Sequence, residues 1–226
     1  MRNVESAIIF DCDGVLIDSE RIASRVDAES LTTIGIKITA AALAHRFSGV
    51  SYRDMYAALE AETGIRLPDD YAARAHARVL AACDQEGAAL AMPGIHALLD
   101  GLTGSRLCVA SSSSPDWLRR TLGQTDLWQR FAPHVYSAVA VARGKPAPDL
   151  FLLAAARVGA APVDCVVIED SVAGVQAARA AGMRALGFCG GGHCQPGHDR
   201  RLLAEGAEAV FTHMDELAAA LRRERP

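Results

Sequence analysis

The stretch "VESAIIFDCDGVLIDSE", residues 4–20, decides the fold of this chain. Its first seven residues end in an apolar run, residues 7–10, and predict a buried β-strand. The run leads directly into Asp11 and Asp13, two acids that are one residue apart. Ionised carboxylates are costly to bury, and two together repel each other. A cation, a proton or a set of backbone N–H groups must therefore offset their charge.

The bulk composition excludes several classes of protein. The chain has 226 residues, of which 50% are hydrophobic and 22% charged, as is ordinary for a globular protein with a sizeable core. The formal net charge is -4, and there is no run of like charge that would suggest a nucleic-acid partner. No apolar stretch approaches the ~18 residues of a membrane span, and no signal-peptide segment precedes Asp11. We therefore expect a cytoplasmic monomer that acts on a small molecule.

Strand-like and helical patterns alternate along most of the chain. After residues 4–10, strands are predicted at 105–111, 133–138, 164–170, 183–188 and 208–212, and helices at 93–103, 115–123, 148–158, 171–182 and 213–224. This alternation predicts an α/β fold, a Rossmann-like parallel sheet covered on both faces by helices. Such sheets bind ligands at the carboxyl ends of their strands.

Residues 19–87 break the alternation, because they carry helical patterns and no convincing strand. We interpret them as a helical cap domain inserted after strand 1. Residues 1–18 and 88–226 then form the α/β catalytic core. The segment "GAALAMP" (87–93) is the expected return linker.

Polar residues follow the predicted strands and should meet at one edge of the sheet. They are Asp11 and Asp13, the serines from Ser111 to Ser114, Lys145 in "GKPAPD", and Glu169 with Asp170. Carboxylate oxygens suit Mg²⁺, whereas serines, loop N–H groups and a lysine suit a phosphate group. One carboxylate could attack phosphorus, and a second could act as general acid and base. A tight turn at Asp11–Gly14 and helix caps at the other positions are the alternative interpretation.

Lysine is rare in this chain. Of its 23 basic residues only Lys37 and Lys145 are lysines. At Lys145 the sequence therefore indicates a need for a compact ammonium group that a planar guanidinium could not replace.

Four segments resemble the four motifs of the haloacid dehalogenase superfamily, in the family's order: "DCDGVLIDSE", "VASSSS", "GKPAPD" and "VIEDSVAGVQAARAAGM". The insert resembles the helical cap of its phosphoglucomutase- and phosphatase-like branch. The resemblance implies that Asp11 is the nucleophile, that Asp13 is the acid and base, and that Ser111 and Lys145 hold the phosphoryl group. Ser112 is added as a phosphate-loop candidate. The resemblance also implies Mg²⁺ bound by Asp11, Asp170 and the backbone carbonyl of Asp13, with support from Glu169.

Within the family, the pattern is most similar to sugar-phosphate phosphatases of the 6-phosphogluconate type. The expected function is hydrolysis of a small phosphomonoester, a sugar phosphate or sugar-acid phosphate, through an aspartyl phosphate. A β-phosphoglucomutase-like phosphotransferase is the first alternative, although Ala23 and Ser48–Gly49 depart from the mutase pattern. A non-catalytic binding protein on the same fold is the second alternative.

The predicted cap contains a candidate substrate loop, "RFSGVSYRDM" (46–55). Gly49 would let the loop backbone approach the substrate. Arg46 and Arg53 flank the glycine and could bind a carboxylate of the substrate. The alternative is that both arginines are solvated helix charges.

The segment "FCGGGHCQPGH" (188–198) contains Cys189, His193, Cys194 and His198. These residues could bind zinc, although their spacing matches no common zinc finger. The glycines favour the alternative, a loop that leaves a strand.

Overall fold

The computed structural model describes residues 6–47 and 52–223. Its centre is a six-stranded parallel sheet in the order β3-β2-β1-β4-β5-β6. The strands are β1 (Ala7–Phe10), β2 (Arg106–Ser111), β3 (Val135–Ser137), β4 (Cys165–Glu169), β5 (Arg184–Phe188) and β6 (Ala209–Phe211). The predicted fold class is confirmed, and all six strands lie within the ranges expected from the sequence.

Eleven α-helices occur in the described part of the chain. They are α1 (Ser19–Thr33), α2 (Ala40–Phe47), α3 (Tyr52–Thr63), α4 (Tyr71–Glu86), α5 (Ile95–Asp100), α6 (Pro115–Gln124), α7 (Trp128–Phe131), α8 (Asp149–Val158), α9 (Val172–Ala180), α10 (His198–Ala204) and α11 (Met214–Arg223). Helix α5 begins two residues later than expected because Gly94, in the left-handed region at φ +84°, precedes its first residue, and it ends at Asp100 rather than at residue 103. Helices α7 and α10 were not predicted, since four and seven residues are too few to show a clear helical period.

Strand β1 lies in the middle of the sheet and is buried on both faces. Ile8 and Phe10 belong to one core cluster, whereas Ala7 and Ile9 belong to the other, as the twofold alternation of a strand requires. Helices α5, α6 and α11 contribute to the first cluster, and α8 and α9 contribute to the second. Burial on both faces explains why the sequence of β1 is continuously apolar.

The helices between β1 and β2 build a separate cluster of buried residues, which includes Leu31, Leu43, Leu59 and Tyr71 from α1 to α4. We refer to these four helices as the cap. The first turns of α1 and the end of α4 instead join the core, through Ile22 and Cys83. The division of the chain at residues 18/19 and 87/88 stays a prediction from the sequence.

Two neighbouring segments connect the cap to the core. The Asp18 N–H donates to the Leu90 carbonyl at 2.9 Å, and the Met92 N–H donates to the Leu16 carbonyl at 2.9 Å. A bridge between Ile17 and Ala91 completes this antiparallel crossing. The outgoing and returning chains therefore support each other at the edge where the β1 acids emerge.

Within residues 6–47 and 52–223, none of the helices has the length and apolar character needed to cross a membrane.

Helix α1 buries a carboxylate in the cap. Asp27 is 3% exposed, and its Oδ1 has no hydrogen-bond partner. Tyr52 donates a hydrogen bond to this carboxylate. Burial, together with the negative charge of Asp27, raises the pKa of Tyr56 and of Tyr71, whose hydroxyls have no hydrogen-bond partner. Burial raises the pKa of Asp27 to about 6. The charged side chain therefore destabilises the cap.

We expect Asp27→Asn to raise the melting temperature at pH 8. Because the folded protein holds the Asp27 proton more tightly than the unfolded chain, wild-type stability falls as the pH rises from about 4 to about 6. The uncharged Asn avoids this loss, which is on the order of 2 kcal/mol at pH 8 and vanishes near pH 4. Thermal unfolding of both proteins from pH 4 to pH 8 measures the difference.

The control for this experiment is Glu29→Gln, which removes an exposed carboxylate from the same helix. We expect it to change the melting temperature little at any pH. An Asp27→Asn gain that is equally large at pH 4 and at pH 8 would show that desolvation of the charge is not its cause.

Candidate active site

The predicted polar residues converge at the carboxyl edge of the sheet. Asp11 and Asp13 follow β1, Ser111 ends β2, and Glu169 and Asp170 close β4. Lys145 comes from the segment before α8. These side chains line a cavity of about 870 Å³, with the exception of Glu169, which is fully buried beneath it.

Lys145 joins two of the acids. Its Nζ lies 2.6 Å from Asp11 Oδ1 and also donates to Glu169 Oε1. The Lys145 side chain is 5% exposed, and its Nζ lies 5.0 Å from the centre of the Phe151 ring. The two carboxylates raise the pKa of Lys145 despite its burial, so the ammonium stays charged. A buried lysine thus holds a fixed positive charge against Asp11.

Glu169 is positioned by the start of α9. Its Oε2 accepts from both the backbone N–H and the hydroxyl of Ser171, each at 2.9 Å. The Ser171 hydroxyl in turn caps α9 by accepting from the Gly174 N–H at 3.0 Å. A Cβ on Gly174 would lie 1.9 Å from Glu169 Cδ, so only glycine leaves room for this carboxylate. Sequence reasoning missed Gly174, which shows no signal apart from its place in the fourth motif.

Asp13 accepts hydrogen bonds on both carboxylate oxygens. Oδ1 accepts from Ser19 Oγ at 2.6 Å and from Trp117 Nε1 at 2.9 Å. Oδ2 accepts from Ser113 Oγ at 2.6 Å. These three donors fix the direction of the Asp13 carboxylate. Ser113 belongs to the serine loop that the sequence predicts at this edge, whereas Ser19 and Trp117 were not among the predicted site residues, and Ser113 and Trp117 lie about a hundred positions away in the sequence.

The serines after β2 have different environments. Ser111 is 1% exposed, and its Oγ accepts from the Ser113 N–H at 3.1 Å. Ser112 is exposed and also lines the cavity. Ser114 caps α6 by accepting from the Trp117 N–H at 3.2 Å. The loop therefore presents hydroxyls from Ser111 to Ser113 and leaves Ser114 to start the helix.

Asp11, Glu169 and Asp170 form a buried acidic cluster. Their exposures are 7%, 0% and 4%, and one oxygen from each lies within 4.8 Å of the others. Burial raises the pKa of Asp11 and of Asp170, and mutual repulsion raises both further, whereas Lys145 lowers them. With all three carboxylates ionised, one ammonium leaves two negative charges uncompensated. This donor set and charge fit a hard divalent cation such as Mg²⁺.

The backbone of Gly14 packs closely against the Asp170 carboxylate, where a side chain would not fit. Gly14 adopts φ +83°, and a Cβ there would lie 2.0 Å from Asp170 Oδ2. The same oxygen lies 2.8 Å from His193 Nε2. His193 is 3% exposed, and burial lowers its pKa. The sequence suggested His193 only as one of four possible zinc ligands, and its contact with Asp170 was not predicted.

The cap forms the wall of the cavity opposite the sheet. Glu20, Ala23 and Asp27 from α1 line it, as does Asp54 from α3. His76 from α4 packs over Trp117, with 5.5 Å between the ring centres. Among the described lining residues, Lys145 is the one lysine or arginine, so the wall contributed by the cap is acidic.

The predicted cap residues are placed differently from the expectation. Arg46 forms an ion pair with Glu62 of α3 and lies over the Phe47 ring, 4.8 Å from its centre. Arg53 is exposed on α3, and neither arginine is among the described residues that line the cavity. Gly49 lies outside the described residues.

Comparison with known proteins shows how far this arrangement is shared. Residues 5–182 match the family model of the haloacid dehalogenase-like hydrolases. The chain is 30% identical over 212 residues to 6-phosphogluconate phosphatase of Escherichia coli (strain K12), covering 93% of this chain and 92% of that protein. It is 31% identical over 187 residues to hexitol phosphatase B of the same organism, covering 80% and 82%.

A solved structure extends the similarity to three dimensions. A hydrolase of this family from Deinococcus radiodurans R1, crystallised with bound phosphate and sodium, superimposes with a TM-score of 0.82. It is 33% identical, and the match covers 97% of this chain and 96% of that one. The predicted family and the prediction of a phosphoric monoester hydrolase are confirmed. This chain belongs to the haloacid dehalogenase-like hydrolases.

Proposed function

We propose that this hydrolase is a Mg²⁺-dependent phosphatase of a small neutral sugar or polyol phosphate and that it forms an aspartyl phosphate on Asp11. The observation that carries the proposal is the pairing of Asp11 with Lys145 on the cavity floor, close to an Asp13 carboxylate that three donors orient. We also retain the expectation of a cytoplasmic monomer.

In the first half-reaction, an Asp11 oxygen attacks phosphorus, and the bond from phosphorus to the substrate oxygen breaks. Asp13, which is protonated at the start of this step, gives its proton to the departing oxygen. In the second half-reaction, Asp13 takes a proton from water as that water attacks phosphorus, and the Asp11–phosphorus bond breaks. Inorganic phosphate leaves, and both carboxylates return to their starting state.

The surroundings of each residue support these roles. Lys145 donates to Asp11 and lowers the pKa of that carboxyl against the effect of its burial, and the same ammonium could also bind a phosphoryl oxygen. The Ser111–Ser113 loop offers hydroxyls beside it. Asp11, Glu169 and Asp170 would hold Mg²⁺, which when bound supplies positive charge to the phosphoryl group. The family resemblance implies the backbone carbonyl of Asp13 as a further ligand beside Asp11 and Asp170, with Glu169 in support of the site.

The acidic cap wall bears on the substrate class. Glu20 and Asp27 face the same cavity as the catalytic floor, and burial raises the pKa of Glu20 to about 7 and that of Asp27 to about 6, so both are mostly ionised at pH 8. Carboxylates accept hydrogen bonds from sugar hydroxyls but repel a second anionic group on the substrate. Of the two activities named in the similar phosphatases, the cavity therefore favours a hexitol-like phosphate over a sugar-acid phosphate. It gives no support to carboxylate recognition by Arg46 and Arg53.

The mutase alternative makes a different chemical prediction. A phosphotransferase returns the phosphoryl group from Asp11 to a second sugar hydroxyl, whereas a phosphatase gives it to water. Ala23, one of the two departures from the mutase pattern, is 7% exposed and lines the cavity. The other, Ser48–Gly49, lies outside the described residues. An assay that measures free phosphate and sugar isomers together distinguishes the two reactions.

Asp11→Asn should abolish turnover while the protein stays folded, because an amide is too weak a nucleophile to form the phosphoenzyme. We expect a loss of at least ~10²-fold in kcat on p-nitrophenyl phosphate. Asp116→Asn, an exposed change in the first turn of α6, is the matched control and should keep wild-type activity. If Asp11→Asn retained more than a few per cent of wild-type kcat, Asp11 could not be the nucleophile.

Chelation should remove activity, and Mg²⁺ should restore it. Because the acids repel one another without a cation, Mg²⁺ should also raise the melting temperature of the wild type. Asp170→Asn should lose that Mg²⁺-induced shift, whereas Asp215→Asn, an exposed acid on α11, should keep it. Full activity in excess chelator, or an unchanged shift in Asp170→Asn, would contradict the metal assignment.

The acidic wall predicts a substrate preference. Wild-type kcat/KM should be about tenfold or more higher for a hexitol phosphate than for 6-phosphogluconate, a ratio equal to ~1.4 kcal/mol of differential repulsion. Asp27→Asn should narrow this ratio, whereas Glu29→Gln, which removes an exposed acid of α1, should not. Equal or better hydrolysis of 6-phosphogluconate by the wild type would refute the preference without affecting the assignment of Asp11.

A further inference from the structure

A second cluster of potential metal ligands lies between β5 and α10. Cys189, Cys194 and His198 each place one ligand atom within 4.8 Å of the other two. We propose that these three residues bind one zinc-class divalent ion, separate from the magnesium site. The proposal does not depend on the assigned phosphatase activity.

The three glycines between the cysteines allow the loop to close. A Cβ on Gly190 would lie 2.3 Å from the Phe188 ring, and one on Gly191 would lie 2.7 Å from His193 Nδ1. A Cβ on Gly192 would lie 2.6 Å from the Arg21 side chain. Neighbouring side chains thus pack closely against the loop backbone at all three positions, and the two cysteines, five residues apart, lie close together at its ends.

The loop is further fixed by hydrogen bonds along its length. The Cys189 N–H donates to the Phe211 carbonyl at 2.7 Å, and the Cys194 N–H donates to the Gly191 carbonyl at 3.1 Å. The Gly192 N–H donates to Asp18 Oδ1 at 2.9 Å, which ties the loop to the start of α1. The cysteines are therefore held in place by their backbone before any ion binds.

One ring nitrogen of His198 is engaged in a hydrogen bond, which leaves the other available to a metal. Its Nε2 lies 2.5 Å from the backbone carbonyl of Asp170. A carbonyl only accepts, so this nitrogen must carry the proton and donate it. In a neutral imidazole the other nitrogen, Nδ1, then has its lone pair free for a metal. Histidine ligands in proteins are commonly fixed by such a hydrogen bond from their second nitrogen.

The chemistry of the donors selects the ion. Two thiolates and one imidazole suit zinc, whereas the carboxylates around Asp11 suit magnesium. The cysteines are half-buried and His198 is 6% exposed, so the fourth position of a tetrahedral ion would be open to water. The thiols of Cys189 and Cys194 already contact each other through a hydrogen bond, which a shared ion would replace.

The cluster also contacts the catalytic edge. His198 binds the main chain of Asp170, and His193 lies between Cys194 Sγ at 3.4 Å and Asp170 Oδ2 at 2.8 Å. An ion on the two cysteines and His198 would hold both of these contacts in place. We therefore assign it a structural role, in which it fixes the position of Asp170 through His198 and His193.

The test measures metal content and geometry in the full-length, tag-free enzyme. Protein purified with reductant and without chelator should contain about one zinc per chain. After removal of the metal, Co²⁺ added in the presence of excess Mg²⁺ should give the thiolate charge-transfer band and the visible bands of a tetrahedral cobalt site. Cys194→Ala should reduce both signals at least about tenfold. Cys83→Ala, which changes a buried cysteine of α4, should leave them intact.

A second variant and a thiol titration guard against misfolding and oxidation. Cys189→Ser is a smaller change and should lose cobalt binding while the protein keeps a cooperative thermal transition. Zinc should raise the melting temperature of the wild type but not of this variant. The proposal is overturned if Cys194→Ala and Cys189→Ser bind cobalt as the wild type does. Titration of the free thiols tests whether a disulfide takes the place of the metal site. The proposal is also overturned if the isolated protein has four free thiols out of six, if reductant restores the other two, and if no cobalt band forms.

Discussion

The contact of Lys145 with Asp11 and Glu169 is the constraint on which the catalytic edge depends. Each carboxylate lies at the end of a central strand, where burial is nearly complete and water cannot screen its charge. The Lys145 ammonium group donates a hydrogen bond to both carboxylates, so a compact charged group must reach between the ends of β1 and β4. A guanidinium would need a wider, planar space and more hydrogen-bond acceptors than this position offers. The scarcity of lysine elsewhere in the chain fits that geometric demand.

The remaining negative charge shapes the neighbouring backbone. Asp170 and Glu169 are each approached by a glycine, Gly14 and Gly174, at distances that no side chain could tolerate. The carboxylates are thereby directed by main-chain atoms and helix caps, which move less than side chains do. A cation site formed in this way is preorganised, so little of the binding free energy of the ion is lost in ordering the ligand side chains. The same rigidity explains why the acids repel one another strongly without a cation.

Much of this arrangement could be predicted from the sequence. Apolar runs that end in acids or serines identify the strands and the residues at their carboxyl ends, because a parallel sheet brings those ends together, and the rare Lys145 precedes a predicted helix at the same edge. The donors to Asp13 could not be predicted in this way. Ser19, Ser113 and Trp117 meet one carboxylate from three parts of the fold, and a tryptophan in a helix gives no sign that its Nε1 is used. Arg46 is the reverse case, a predicted site residue that the fold uses elsewhere. Its position close to Gly49 suggested a substrate contact, but its partner is Glu62, which the local sequence does not reveal.

The charge of the cavity is distributed unevenly, and this has a chemical consequence. On the floor, Lys145 and a divalent cation can balance the acids, so a phosphoryl dianion meets positive charge there. On the cap wall, Glu20 and Asp27 face the cavity, and Lys145 of the floor is the one lysine or arginine among the described lining residues. A substrate with one phosphate and several hydroxyls satisfies both surfaces, whereas a second anionic group would be placed against the wall. Asp27 is costly to the stability of the cap because it is buried and incompletely hydrogen-bonded. Such a cost is typical of residues retained for binding, since an apolar side chain at that position would stabilise the cap but could not accept a hydrogen bond from a sugar.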